Sequence, residues 1–130
     1  MNPYATARQA YTESSVMTAS PEQLVVMLYD GAIRFLRQSA EAMRVGNREQ
    51  SRSKMSRAEE VIDELNYSLD MSYGEVPQNL RMLYQFAKRQ LIRANLDSDA
   101  DRIDSVGRMF ADLRESWATI AQRAEARDAA

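Results

Sequence analysis

The sequence contains no cysteine and no histidine. The first absence excludes a disulfide framework and thiolate chemistry, and it fits a reducing compartment. The second removes the imidazole base, the Ser-His and Cys-His nucleophiles and the commonest metal ligand. The Glu-x-x-His motif of di-iron helical bundles is excluded with it. Asp, Glu, Lys, Tyr and Ser remain, and no pattern groups them into a buried site. The carboxylates at Glu59-Glu60, Asp63-Glu64 and Asp97, Asp99, Asp101, Asp104 read as solvated helix faces and dipole-complementing starts. No enzyme activity, metal or cofactor is expected.

Proline and glycine are also scarce, at 3 and 4 residues. Pro21, Gly46, Gly74 and Pro77 lie near breaks in the apolar pattern, which predicts a few long helices with short links. Gly31 and Gly107 fall inside helical patterns instead. No run of about 18 apolar residues occurs, so no membrane-spanning helix is expected. Met1-Asn2-Pro3-Tyr4 carries neither a basic n-region nor an apolar h-region. The expected compartment is the cytoplasm. Formal net charge is -2, with both signs mixed along the chain. This argues against a nucleic-acid partner bound through a basic face.

What the sequence does have is apolar periodicity. At 130 residues it forms one domain, 1–130, large enough to bury roughly two-thirds of its unfolded surface. Residues 1–19 read as an arm, extended or weakly helical. Ser20-Pro21-Glu22-Gln23 is a capping box with proline at the first helical position. Helix one then spans about 21–45, with Leu24, Leu28, Ala32 and Phe35 as its stripe, continued by Leu36, Ala40 and Met43. Ser39 interrupts that series. Helix two, about 48–71, carries Met55, Ala58, Ile62, Leu65 and Leu69. Helix three, about 77–96, carries Leu80, Leu83, Ala87, Leu91 and Ala94. Helix four, about 99–126, carries Ile103, Val106, Phe110, Leu113, Trp117, Ile120 and Ala124. Spacings of three and four are the mark of core-facing helices. Short links favour antiparallel neighbours, so the predicted fold is all-α, an up-down four-helix bundle.

Several large apolar residues lie off these stripes. They are Val26, Tyr29 and Ile33 on helix one, Val61 and Tyr67 on helix two, and Met82, Phe86 and Ile92 on helix three. They either widen the buried faces or form a second, shallow apolar groove outside the bundle for a partner polypeptide. In the second case the arm, with Tyr4 and Tyr11, is a movable cover. The same surplus faces also suit a self-assembling structural bundle, a homodimer included.

Asn2-Pro3-Tyr4, Tyr11, Val16, Thr18-Ala19-Ser20-Pro21, Leu24, Met27-Leu28-Tyr29-Asp30-Gly31-Ala32-Ile33 and Phe35-Leu36 together resemble the N-terminal signature of the flagellin-specific export chaperones, the FliS family. Leu83-Tyr84, Lys88-Arg89, Leu91-Ile92 and Ala94-Asn95 are similar to that family's third-helix stretch. Leu113-Arg114-Glu115-Ser116-Trp117 looks like its fourth-helix ending. The resemblance runs in order over nearly the whole chain. It implies a four-helix bundle that binds the C-terminal segment of flagellin in the cytosol. It implies that the chaperone prevents early polymerisation and helps deliver the segment to the flagellar export gate. Carried over residue by residue, it implies a flagellin-binding groove from Val26, Tyr29, Ile33, Tyr84, Leu91 and Ile92. Tyr4, Tyr11 and Val16 are then its N-terminal cover. Asp30 is expected to bond to the partner's backbone or to the arm.

Overall fold

The computed structural model describes residues 19–129. Four helices make up most of that span: α1 Pro21–Arg44, α2 Arg48–Tyr67, α3 Glu75–Asp97 and α4 Ala100–Ala129. A short 3-10 turn, Met71–Tyr73, stands between α2 and α3. No strand occurs among the described residues.

The start of α1 follows from its sequence. The Ser20 hydroxyl accepts from the Gln23 N–H at 3.1 Å, and the Gln23 side chain accepts from the Ser20 N–H at 2.8 Å. Two of the otherwise orphaned donors at the helix start are thereby satisfied. The chain leaves α1 through Gly46 in the left-handed region, at φ 78°, where glycine carries no Cβ penalty. Asn47 then caps α2 by accepting from the Gln50 N–H at 3.1 Å.

The link after α2 is built differently from the sequence expectation. Helix α2 stops at Tyr67, before residue 71. Asp70 accepts from both the Ser72 N–H and the Ser72 hydroxyl, at 3.0 and 2.6 Å, and so organises the 3-10 turn. Asp competes with helix by this kind of local bonding. Helix α3 begins at Glu75, two residues before Pro77. Proline is tolerated there because first-turn N–H groups have no intrahelical acceptor.

Polar contacts fix the helix directions. Asp30 meets Arg114 at 2.8 Å, and Arg44 meets Asp101 and Asp104 at 2.6 Å each, so α1 and α4 run antiparallel. Gln23 donates to Glu125 at the other end of the same pair. Ser39 with Ser51 joins α1 to α2, Lys88 with Asp63 joins α3 to α2, and Arg102 with Gln90 joins α4 to α3. With links this short each successive helix turns back on the one before it, giving the expected up-down bundle. Helix α1 lies closest to its neighbours α2 and α4, whereas α3 packs on α2 and α4 at a wider backbone spacing.

The core follows the expected stripes on all four helices, with adjustments. Met55, Ala58, Ile62 and Leu65 are buried on α2, and Leu80, Ala87, Leu91 and Ala94 on α3. On α4, Ile103, Val106, Phe110, Trp117 and Ala124 are buried, but Ile120 is exposed and Ala121 takes the inward position. On α1 the expected Leu24, Ala32, Leu36 and Ala40 are buried together with Val25 and Tyr29, while Leu28, Phe35 and Met43 only flank the core. Two overlapping apolar series run along this helix. Close neighbours on both sides select the one between them. Ser39 lies inside the bundle, where its hydroxyl donates to the Ser51 carbonyl at 2.8 Å. A buried hydroxyl is tolerated when bonded in this way.

Candidate functional site

An aromatic cluster occupies the middle of the bundle. Tyr29 from α1, Tyr84 from α3 and Phe110 and Trp117 from α4 are all buried. The Tyr84 and Phe110 rings are stacked, 4° from parallel with centroids 6.0 Å apart. Tyr29 tilts against the same Phe110 ring at 47° and 5.7 Å. Such pairs add to the area that aromatic rings bury. The Tyr29 and Tyr84 hydroxyls meet at 2.5 Å, across the bundle diagonal. Burial pushes both phenols well above their usual range; for Tyr29 a hydrogen bond from Trp117 opposes part of that rise. Each stays neutral and acts as a packed, hydrogen-bonded core group.

Of the two positions open to Tyr29, a widened buried face or an outer groove wall, the structure places it in the buried face. It is buried because the α1 face turns toward Phe110, and Tyr84 and Leu91 are equally enclosed. Val26 and Ile33 are half-buried and pack against the core. They flank Asp30 by one helical turn on each side, and Asp30 pairs with Arg114 of α4. Val26 and Ile33 therefore line the α1–α4 edge. Ile92 is exposed on α3, which does not adjoin that edge along its length. The structure thus brings Tyr29 and Tyr84 together, leaves Val26 and Ile33 on one surface and puts Ile92 on another. Tyr4, Tyr11 and Val16 lie outside the described residues.

Electrostatics at the remaining candidate spots are accounted for. Asp101 and Asp104 share Arg44, and Asp99 caps α4 by accepting from the Arg102 N–H at 3.1 Å. Asp30 bonds to Arg114 on the neighbouring helix. Among the described residues no group of three carboxylates is placed to hold a metal ion. No helix of the described residues is long and apolar enough to cross a membrane.

Four exposed large apolar side chains, Met82, Phe86, Ile92 and Leu96, share the outer side of α3. Three of these stand off the core stripe in the sequence. Leu96 escaped notice because it falls at the end of the helix.

The chain matches the family model described as "Flagellar protein FliS" over residues 4–124. It is 32% identical to the flagellar secretion chaperone FliS of Bacillus subtilis, covering 89% of this chain and 84% of the relative. It is 36% identical to the protein of that name from Salmonella typhimurium, covering 89% and 87%. With the Escherichia coli protein the identity is 35%, covering 87% and 88%.

Proposed function

The chain belongs to the FliS family and is a flagellar export chaperone rather than an enzyme, and from that premise we propose that its client is flagellin. In this reading it binds the disordered C-terminal segment of flagellin in the cytosol and prevents premature polymerisation. It then assists delivery to the flagellar type III export apparatus, where a component of the export gate is a second partner. The observation that carries the reading is the family match, which spans nearly the whole chain and not one short motif.

The physical account follows from the client's disorder. Ordering such a segment on binding costs roughly 2–5 kcal/mol or more, which wide apolar contact must offset. A small bundle supplies that area if the client wraps around it. Val26 and Ile33 on the α1–α4 edge and Ile92 on α3 are the proposed contact points. Their separation suits a wrapping segment better than a single docked helix. Tyr29, Tyr84 and Leu91 lie beneath and hold the helices at the spacing the contacts need. Tyr4, Tyr11 and Val16 are the proposed cover that a client displaces.

Calorimetric titration with a peptide from the flagellin C-terminus tests this. Tight 1:1 binding with a large negative heat-capacity change is expected. A folded protein that does not bind at high micromolar peptide would overturn the assignment of the client.

A further inference from the structure

The outer side of α3 is both apolar and basic. Met82, Phe86, Ile92 and Leu96 are 66%, 45%, 56% and 72% exposed. One helical turn separates Met82 from Phe86 and Ile92 from Leu96, on the side turned away from Leu80, Ala87 and Ala94. Between them stand Arg89 and Arg93, with Arg81 at one end, all exposed. Among the described residues no carboxylate pairs with any of the three. From Val76 to Leu96 the helix contains no acidic residue. Among the described residues Lys88 is its one cation in an ion pair, with Asp63 at 2.6 Å. Met27, Val45 and Ile120 are exposed far from one another in sequence, and Tyr67, Met71, Tyr73 and Val76 fall at the α2–α3 link; exposed apolar residues of this kind are ordinary for a protein surface.

We propose that this face of α3 docks an amphipathic helix with acidic flanks, supplied by a different protein. Residues at helical spacing on the partner would cover Met82, Phe86, Ile92 and Leu96, and its carboxylates would meet the arginines. Arginine suits that role because its planar fork takes a carboxylate through two hydrogen bonds. The 15 residues from Met82 to Leu96 span about 22 Å, room for roughly four turns of partner helix.

Charge decides among occupants. Residues 1–18 contain one Glu and one Arg, so that segment cannot balance three arginines. A second copy joined through the same face would set arginine against arginine. The other helices of a second copy offer no matching apolar ridge, because among their described residues the exposed large apolar side chains are Met27 on α1, Tyr67 on α2 and Ile120 on α4, one to a helix. A heterologous acidic helix satisfies both halves of the pattern.

The test uses the full chain and fluorescence anisotropy. The probe is a labelled helical peptide of about 18 residues, with Leu at three-four spacing and Glu on both flanks. A counterpart replaces each Glu with Lys. The acidic peptide is expected to bind at least about tenfold tighter, and raising NaCl should erode that margin. Phe86→Glu and the pair Arg89→Glu, Arg93→Glu should abolish binding with helical circular dichroism unchanged. Ile92 belongs to this face and is also a proposed client contact, so the client assignment is read separately from Val26→Ala, Ile33→Ala, which leaves the α3 face unaltered: that pair should weaken flagellin-peptide binding and spare the acidic peptide. Equal binding of both peptides to the unaltered chain would overturn the proposal without recourse to any variant. So would no binding of either, or self-association that Phe86→Glu removes.

Discussion

The hydroxyls of Tyr29 and Tyr84 meet at 2.5 Å across the diagonal of the bundle, joining two helices that share no edge. The link is asymmetric, because Trp117 also bonds to the Tyr29 side chain. Tyr84→Phe leaves Tyr29 with Trp117. Tyr29→Phe strands the Tyr84 hydroxyl in the core. An orphaned buried hydroxyl costs about 1–3 kcal/mol. Urea denaturation should therefore rank Tyr29→Phe below Tyr84→Phe in stability. The double variant should lose less than the sum of the two single losses, since replacing both partners removes the orphan. Strictly additive losses would mean that the hydroxyls do not interact.

The same pair predicts behaviour at high pH. Both phenols are raised above the ordinary value of about 10 by burial. The folded state thus holds protons that the unfolded state releases. Stability from this source is fully present below pH ~10 and falls as pH rises beyond it, by up to about 2.7 kcal/mol per pH unit for two groups. Melting temperature should be level from pH 8 to 9 and decline above about 10. The Tyr29→Phe, Tyr84→Phe double variant should decline less steeply; an identical slope would assign the effect to other groups.

The motifs that carry the family resemblance meet one another in space. Tyr29 and Asp30 come from the first-helix signature, Tyr84 from the third and Arg114 and Trp117 from the fourth. Tyr29, Tyr84 and Trp117 are buried together, and Asp30 meets Arg114. The fold was legible because helix caps and three-four spacing are local signals, which survive in one sequence without a partner. The facing of α1 was legible in Leu24, Ala32, Leu36 and Ala40 but not in full, because Val25 and Tyr29 compete with Leu28 and Phe35 for the remaining inward positions. Only the positions of α2 and α4 choose between them. The same ambiguity hid Tyr29 from its true place in the core. The basic side of α3 was readable in principle, since no acid occurs from Val76 to Leu96, but apolar spacing alone does not register it.

The Asp30–Arg114 pair makes a prediction of the opposite size. The two side chains approach to 2.8 Å but remain 48% and 34% exposed. Water and salt weaken such pairs, and exposed bridges are typically worth about 0.2–1 kcal/mol. A double-mutant cycle with Asp30→Ala and Arg114→Ala should give a coupling in that range at low salt. It should shrink toward zero in about 1 M NaCl, where the Debye length is near 3 Å. A coupling that salt leaves unchanged would mean the pair acts through packing.

Gly31 sits inside α1, where glycine costs about 1 kcal/mol relative to alanine. A structural need would be a neighbour too close for a Cβ. None exists among the described residues, because an added Cβ meets nothing within 4 Å. Gly31→Ala should therefore raise unfolding free energy by about 0.5–1 kcal/mol, through the smaller backbone freedom of the unfolded chain. The position lies two residues from Ile33 and five from Val26, which turns it to the opposite edge of α1 at roughly 100° per residue. Flagellin-peptide affinity should then be unchanged within error in the same titration. Higher stability with weaker peptide binding would move the client's path to the α2 side of α1. Lower stability would place another segment of the chain against Gly31.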